Sequence, residues 1–236
     1  MKAVCPHCGS LQDVDEAELG LDTLCAHCGK TYRPVLIPVG DDLPSGDFEN
    51  HIELEAPRYP VPAETVFLDV ETTGLMAGRS RIIEITLQGE EGVFSTLVNP
   101  GARIPWTISS ITGLTNEMVA DAPSFAQIAG QVAGMMRDHV IVGHNVTFDL
   151  RMIFSELARA GIPPWPVRYR CTLATERKLR GRGGNSLCQC LERRDIHSDV
   201  YHRSRADVES TIRLYDSQLR EGAEVAERSF SYDLPV

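Results

Sequence analysis

No stretch of this 236-residue chain is apolar for long enough to cross a bilayer, since a spanning helix needs about 20 such residues. The first residues, Met1 to Cys5, do not lead into the apolar segment of a secretion signal. A cytoplasmic location with no membrane partner is therefore expected. Positive charge is also scarce. The 23 Lys and Arg are outnumbered by 33 Asp and Glu, giving a formal net charge of −10, which argues against a generic basic coat for nucleic acid. It leaves room for an enzyme that cuts nucleic acid, because carboxylates clustered around metal ions inflate the formal negative count. The seven cysteines are an odd number, and their placement says more than their total.

Four of them form two matched pairs. Cys5 and Cys8 are followed by Gly9, Cys25 and Cys28 by Gly29, and sixteen residues separate the pairs. That gap falls in the range of tetrahedral zinc sites, and glycine after each pair lets backbone amides turn toward the thiolates. A zinc ribbon is expected over residues 1–34, holding one structural Zn²⁺ through Cys5, Cys8, Cys25 and Cys28, with His7 and His27 as spectators. Disulfides are disfavoured in a reducing compartment, and a redox pair would need a thioredoxin-type setting that is missing. So small a unit has little core, and the metal would supply most of its folding free energy. The stretch resembles small bacterial zinc-ribbon domains that precede unrelated partners. Residues 35–62 carry six acids, one base (Arg58) and five prolines, the composition of an extended linker.

From residue 63 the pattern changes. TVFLDV, RIIEITLQ and GVFSTLVN read as three strands with short turns between them, hence a meander. SFAQIAGQVAGMMRD has helical spacing, HVIVGHN is a short buried strand, TFDLRMIFSELARAG is an amphipathic helix, and YRCTLAT is a fifth strand. Helices are expected at about 175–179, 186–194 and 204–222. The order implies an α/β domain over 63–225, a mixed five-stranded sheet flanked by helices, followed by a tail at 226–236. Such a layout resembles a ribonuclease-H-like domain. Cys171, Cys188 and Cys190 read as small buried side chains.

Asp69 and Glu71 interrupt the apolar first strand. Two residues apart, they project from one face about 7 Å from each other. Like charges persist there only if something positive lies between them, and a divalent cation is the obvious candidate. Asp149 falls in the first turn of a helix, with Asn145 available as its N-cap. Asp207 begins the last long helix, where Ser204 and Asp207 have capping-box spacing, and His202 stands five residues ahead of it. Each of these has a bland account as a solvated acid, a dipole-complementing helix residue or a surface histidine.

Taken together and in this order, Asp69, Glu71, Asp149, His202 and Asp207 resemble the three motifs of the DnaQ-like DEDDh 3′-to-5′ exonucleases. The resemblance covers about residues 65–220. TISSITGLTNEMV (107–119) is similar to a segment of polymerase-associated proofreading members, and CTLA and NSLCQCLERRDI match weaker landmarks. A tyrosine-bearing subgroup would place Tyr four residues before Asp207. That position is Arg203 and Tyr201 is out of register, which leaves His202.

The resemblance implies that Asp69, Glu71, Asp149 and Asp207 hold two Mg²⁺ or Mn²⁺ ions, to which oxygen donors are suited. Two such ions lower the pKa of an attacking water and neutralise the departing 3′ oxygen. His202, with an ordinary pKa near 6.5, would take the water's proton. The substrate would be a nucleic acid with a free 3′ end, single-stranded and DNA in preference to RNA, and the product a 5′-mononucleotide. Thr72, Thr73, Gly74, Leu75, His144, Asn145 and Phe148 are the expected substrate-binding residues, backbone amides approaching at Thr72 to Gly74 and bases packing on Leu75 and Phe148. The bases of residues 168–182 (Arg168, Arg170, Arg177, Lys178, Arg180, Arg182, against Glu176) offer a track for phosphates. The ribbon leaves open a polymerase or other protein partner. The rival reading is a catalytically silent zinc-ribbon adaptor that binds nucleic acid or a polymerase.

Overall fold

The computed structural model describes residues 2–4, 11–13, 23–24, 26, 31–32, 52–198 and 202–232. Near the N-terminus β1 (Lys2–Val4) pairs antiparallel with β2 (Leu11–Asp13), and β3 (Thr23–Leu24) with β4 (Thr31–Tyr32). The four cysteines expected to bind zinc lie outside the described residues, as does Tyr201.

The main sheet is built on β5 (Thr65–Thr72), whose side chains alternate between two layers. Val66, Leu68 and Val70 point into one core with α3 (Phe125–Met136) and α4 (Thr147–Arg159). Phe67 points the other way, against Val208, Ile212 and Tyr215 of α7 (Ser204–Arg220). Its ring meets that of Tyr215 edge-on at 5.4 Å, and burying it fully is worth about 1.5–3 kcal/mol. By the same alternation Asp69 and Glu71 face the α7 side.

β6 (Ile82–Gly89) and β7 (Gly92–Leu97) complete the antiparallel meander. β8 (Val140–Gly143) lies parallel to β5, and β9 (Val167–Cys171) parallel to β8. The sheet order is β10-β9-β8-β5-β6-β7. Six strands stand where five were expected. The sixth, β10 (Glu227–Phe230), comes from the segment read as a tail and pairs antiparallel with β9. Its sequence ERSF has no apolar alternation. Pairing satisfies the outer edge of β9, and Glu227 meets Arg168 and Arg170 at 3.5 and 3.1 Å.

The supposed linker also divides. From residue 52 it lies on the domain: Glu55 bridges to Val93 through reciprocal backbone bonds of 2.9 and 2.8 Å, and Gln88 Nε2 donates to the Tyr59 carbonyl at 2.5 Å. Ile52 and Leu54 reach one core, Tyr59 and Val61 the other, which outweighs the extended tendency of the prolines.

The segment 107–119 folds as α1 (Trp106–Thr112) and α2 (Asn116–Val119), separated by a left-handed Gly113 at φ 74°. Between β9 and α7 lie α5 (Thr172–Arg180) and α6 (Leu187–Glu192). α5 starts at Thr172, inside the stretch read as a strand. Cys190 is buried, whereas Cys171 and Cys188 are half-buried. Among the described residues no helix is long and apolar enough to cross a membrane.

Candidate active site

Three elements deliver the acids to one place. β5 carries Asp69 and Glu71 side by side on the α7 face. A register shift follows immediately: Glu71 pairs with Glu84 but Thr72 with Ile82, leaving Ile83 as the extra residue of a bulge. That residue is free to pack with Ile104, Leu114 and Val119.

Asp149 arrives from the end of β8. A Cβ at Gly143 would stand 2.9 Å from Val146 Cβ and 3.2 Å from the Leu68 carbonyl, so glycine permits the tight entry into α4. Asn145 is not the side-chain cap that its position suggested. It adopts φ 71°, and its carbonyl accepts the Phe148 amide at 2.9 Å, a left-handed role for which asparagine is suited. Asp149, 4% exposed, accepts the Val70 amide through Oδ1 at 3.3 Å.

Asp207 lies in the first turn of α7. The expected Ser204–Asp207 capping box does not form. The cap position is Arg203, without a side-chain bond, and Ser204 is buried with its Oγ 2.8 Å from Thr86 Oγ1. A residue absent from the expected set takes over: Glu84 of β6 accepts the Ser204 amide at 2.8 Å and the Arg203 guanidinium at 2.9 and 2.7 Å. Asp207 instead accepts the His202 amide through Oδ2 at 3.2 Å. His202 is exposed, at φ 57°. Glu71, His202 and Asp207 each offer a ligand atom, all within 4.8 Å of one another.

Electrostatics mark the cluster as strained without a counter-charge. Burial, then Asp149, Asp207, Glu71 and Glu84, push the Asp69 carboxyl well above its ordinary range. Glu71 is pushed up to about 8 by burial, Asp207 and Glu84, with Arg203 opposing. Asp149 is also pushed up to about 8, chiefly by burial, against the hydrogen bonds from its own amide and that of Val70. Burial lifts Asp207 to about 6 although His202 opposes it. Glu71 and Asp207 bring carboxylate oxygens together, with the crowded acids Asp69 and Asp149 beside them, and oxygen donors of this kind fit a hard divalent cation.

The expected substrate-binding residues divide. Leu75 is 82% exposed beside an exposed Met76, so it is no core residue, whereas the half-buried Phe148 packs on the main core. Thr72 donates its hydroxyl to the Gly74 carbonyl at 2.7 Å, and a Cβ at Gly74 would meet Ser80 Oγ at 2.9 Å. The Thr73 amide is used by the Arg81 carbonyl at 2.8 Å, so it is not the free donor that was expected. His144 spends both ring nitrogens internally, accepting from Thr172 and donating to the Asn185 carbonyl, each at 2.9 Å. Burial lowers its pKa and keeps it neutral for this role. The basic stretch is likewise partly committed: Arg168 and Arg170 pair with Glu227, and Arg180 with Glu176 and Glu221.

Residues 66–215 match the Exonuclease family (RNase T type). A DNA polymerase III PolC-type protein of Bacillus cereus is 30% identical over 203 residues, which is 82% of this chain and 13% of that protein. The DNA polymerase III subunit epsilon of Aquifex aeolicus is 29% identical over 162 residues, 66% of this chain and 80% of that subunit. This chain thus aligns with only about an eighth of the PolC-type relative and with most of the epsilon subunit. Among solved structures, the nuclease domain of 3′hExo, a DEDDh family member bound to rAMP, superposes with a TM-score of 0.59 at 18% identity, covering 72% of this chain and 98% of that one. Exonuclease X in complex with 5′-overhanging duplex DNA gives 0.51 at 22% identity, covering 68% and 95%. With a family match across most of its length and the matching fold, the chain belongs to the Exonuclease family, the DnaQ-like 3′-to-5′ exonucleases, whose chemistry depends on divalent metal ions.

Proposed function

We propose that the protein removes nucleotides one at a time from the 3′ end of single-stranded nucleic acid, DNA in preference to RNA, releasing 5′-mononucleotides. The observation that carries this reading is the approach of Glu71, His202 and Asp207 to within 4.8 Å, beside Asp69 and Asp149, whose carboxyls repel one another. Two Mg²⁺ or Mn²⁺ ions held by Asp69, Glu71, Asp149 and Asp207 would supply Lewis-acid charge at the attacking and departing oxygens. The protein's own part is positional and proton-transferring. The Val70 amide fixes Asp149 against β5, and the bond from the His202 amide fixes the head of α7. As water attacks phosphorus and the bond to the 3′ oxygen breaks, the exposed imidazole of His202, beside Glu71 and Asp207, takes the water's proton as general base. Preference for DNA draws on the polymerase relatives, as does a polymerase partner.

The two hairpins near the N-terminus support a structural zinc, since each Cys-x-x-Cys pair falls between the strands of one hairpin in sequence. The test of the whole reading is a nuclease assay on 5′-labelled single-stranded DNA and RNA with Mg²⁺ or Mn²⁺. A ladder shortening from the 3′ end that disappears in Asp69→Ala is expected. No ladder on either substrate overturns it.

A further inference from the structure

Glu84 is a buried carboxylate, 4% exposed, in a strand whose every residue is buried. A charge in such a place costs stability unless it is paired and fully hydrogen-bonded. It is, and all of its partners lie in one short stretch of chain. Oε1 takes the Nε and Nη2 of Arg203, and Oε2 takes the amide of Ser204. That stretch joins His202 to α7. The backbone passes from a left-handed His202 through an extended Arg203 into the helix, with no local side-chain cap. Apart from the bond from the His202 amide to Asp207, what fixes this turn is β6, reinforced by the contact between Thr86 and Ser204. On the next strand the residue directly opposite Glu84 is Glu71, which shares the candidate ion site with His202 and Asp207.

We propose that Glu84 and Arg203 form a positioning pair for the hydrolysis: by anchoring the turn before α7 to the strand beside Glu71, they set His202 and Asp207 at reacting distance from Glu71. The inference rests on the exonuclease reading above and deepens it. The planar fork of arginine fits the role, since two of its N–H groups converge on one carboxylate oxygen, an arrangement that an ammonium point charge cannot reproduce. Neither residue touches the reacting atoms, and both act through His202 and Asp207.

The experiment compares full-length Arg203→Ala, Arg203→Lys and Arg205→Ala with the parent chain on labelled single-stranded DNA. Circular dichroism checks that each is folded. Arg203 has a side chain 42% exposed, so water can fill its place. Displacement of the base by an ångström costs about 100-fold; kcat of Arg203→Ala should fall by that order with KM little changed, and added guanidinium ion should raise it again by about tenfold. Arg203→Lys should lie between the two, and Arg205→Ala, which loses pairs with Glu55 and Glu209 but none with Glu84, should match the parent. Parental kcat in Arg203→Ala, or a folded variant whose lost kcat guanidinium does not recover, overturns the proposal. If Arg203→Ala does not fold, Arg203→Lys decides: reduced kcat at unchanged KM supports the pair, and parental kcat refutes it. A parent chain that releases no nucleotide sinks the exonuclease reading instead, before any variant is compared.

Discussion

The backbone amide of Val70 donates to the carboxylate of Asp149 at 3.3 Å, so the acid at the head of α4 is bonded to the strand between Asp69 and Glu71. This bond ties the α3/α4 layer to the acids on the opposite face of the sheet. Asp149→Asn retains an acceptor for Val70 and should fold with a Tm close to the parent. Its kcat should drop by about 1,000-fold, on the scale of losing a preorganised charge in a reacting centre. Steady-state kinetics with thermal melts would check both halves, and an active Asp149→Asn would remove the residue from the site.

The raised carboxyls make stability depend on pH and metal together. Their unfolded pKa values are near 4, whereas the folded values are about 6 for Asp207 and about 8 for Glu71 and Asp149. The folded chain thus holds protons that the unfolded chain releases, and this contribution is complete below about pH 4 and lost as pH rises through the folded values. In chelator, Tm should fall between about pH 6 and pH 8. Saturating Mg²⁺ should reverse the loss, by on the order of 5 °C at pH 8, because ions replace protons as the counter-charge. A chelated protein whose Tm holds steady or climbs across that window would contradict this account.

Leu75 protrudes into solvent at 82% exposure from the loop beyond Glu71. Leu75→Ala should leave Tm unchanged and raise KM for an oligonucleotide by about tenfold, or about 1.4 kcal/mol, the scale of burying an aliphatic side chain against a base. Unaltered KM would show that the side chain meets no base.

Elemental analysis of protein purified under reducing conditions should give one zinc per chain, lost in Cys25→Ser together with the fold of the N-terminal unit. Deleting residues 1–33 should leave kcat on short oligonucleotides intact. Zinc-free protein would dismiss the ribbon, and a collapse of kcat on deletion would give it a part in the chemistry.

The positions of the four acids were legible because they follow from residue type and local spacing: Asp69 and Glu71 two apart in a strand, Asp149 and Asp207 each in a first turn. What escaped reading was set by distant partners. Glu84 meets Arg203 across 119 positions, and its one local signal was a carboxylate among the buried apolar residues of β6. The Ser204–Asp207 spacing predicted a local cap, but the Ser204 amide found Glu84 instead. His144 is among the expected substrate-binding residues, yet its ring turns toward Thr172 and Asn185, 28 and 41 positions away. β10 had no periodicity to betray it; only the open side of β9 makes ERSF a strand.

That last strand bears on how the molecule can be shortened. The family match ends at residue 215, well before Glu227, so a fragment cut at residue 225 would keep the whole matched segment and all five residues of the candidate site. It would also bare the N–H and C=O row of β9 and leave Arg168 and Arg170 without Glu227. Open strand edges template pairing with other chains, and such a fragment would retain the candidate site but be prone to self-association.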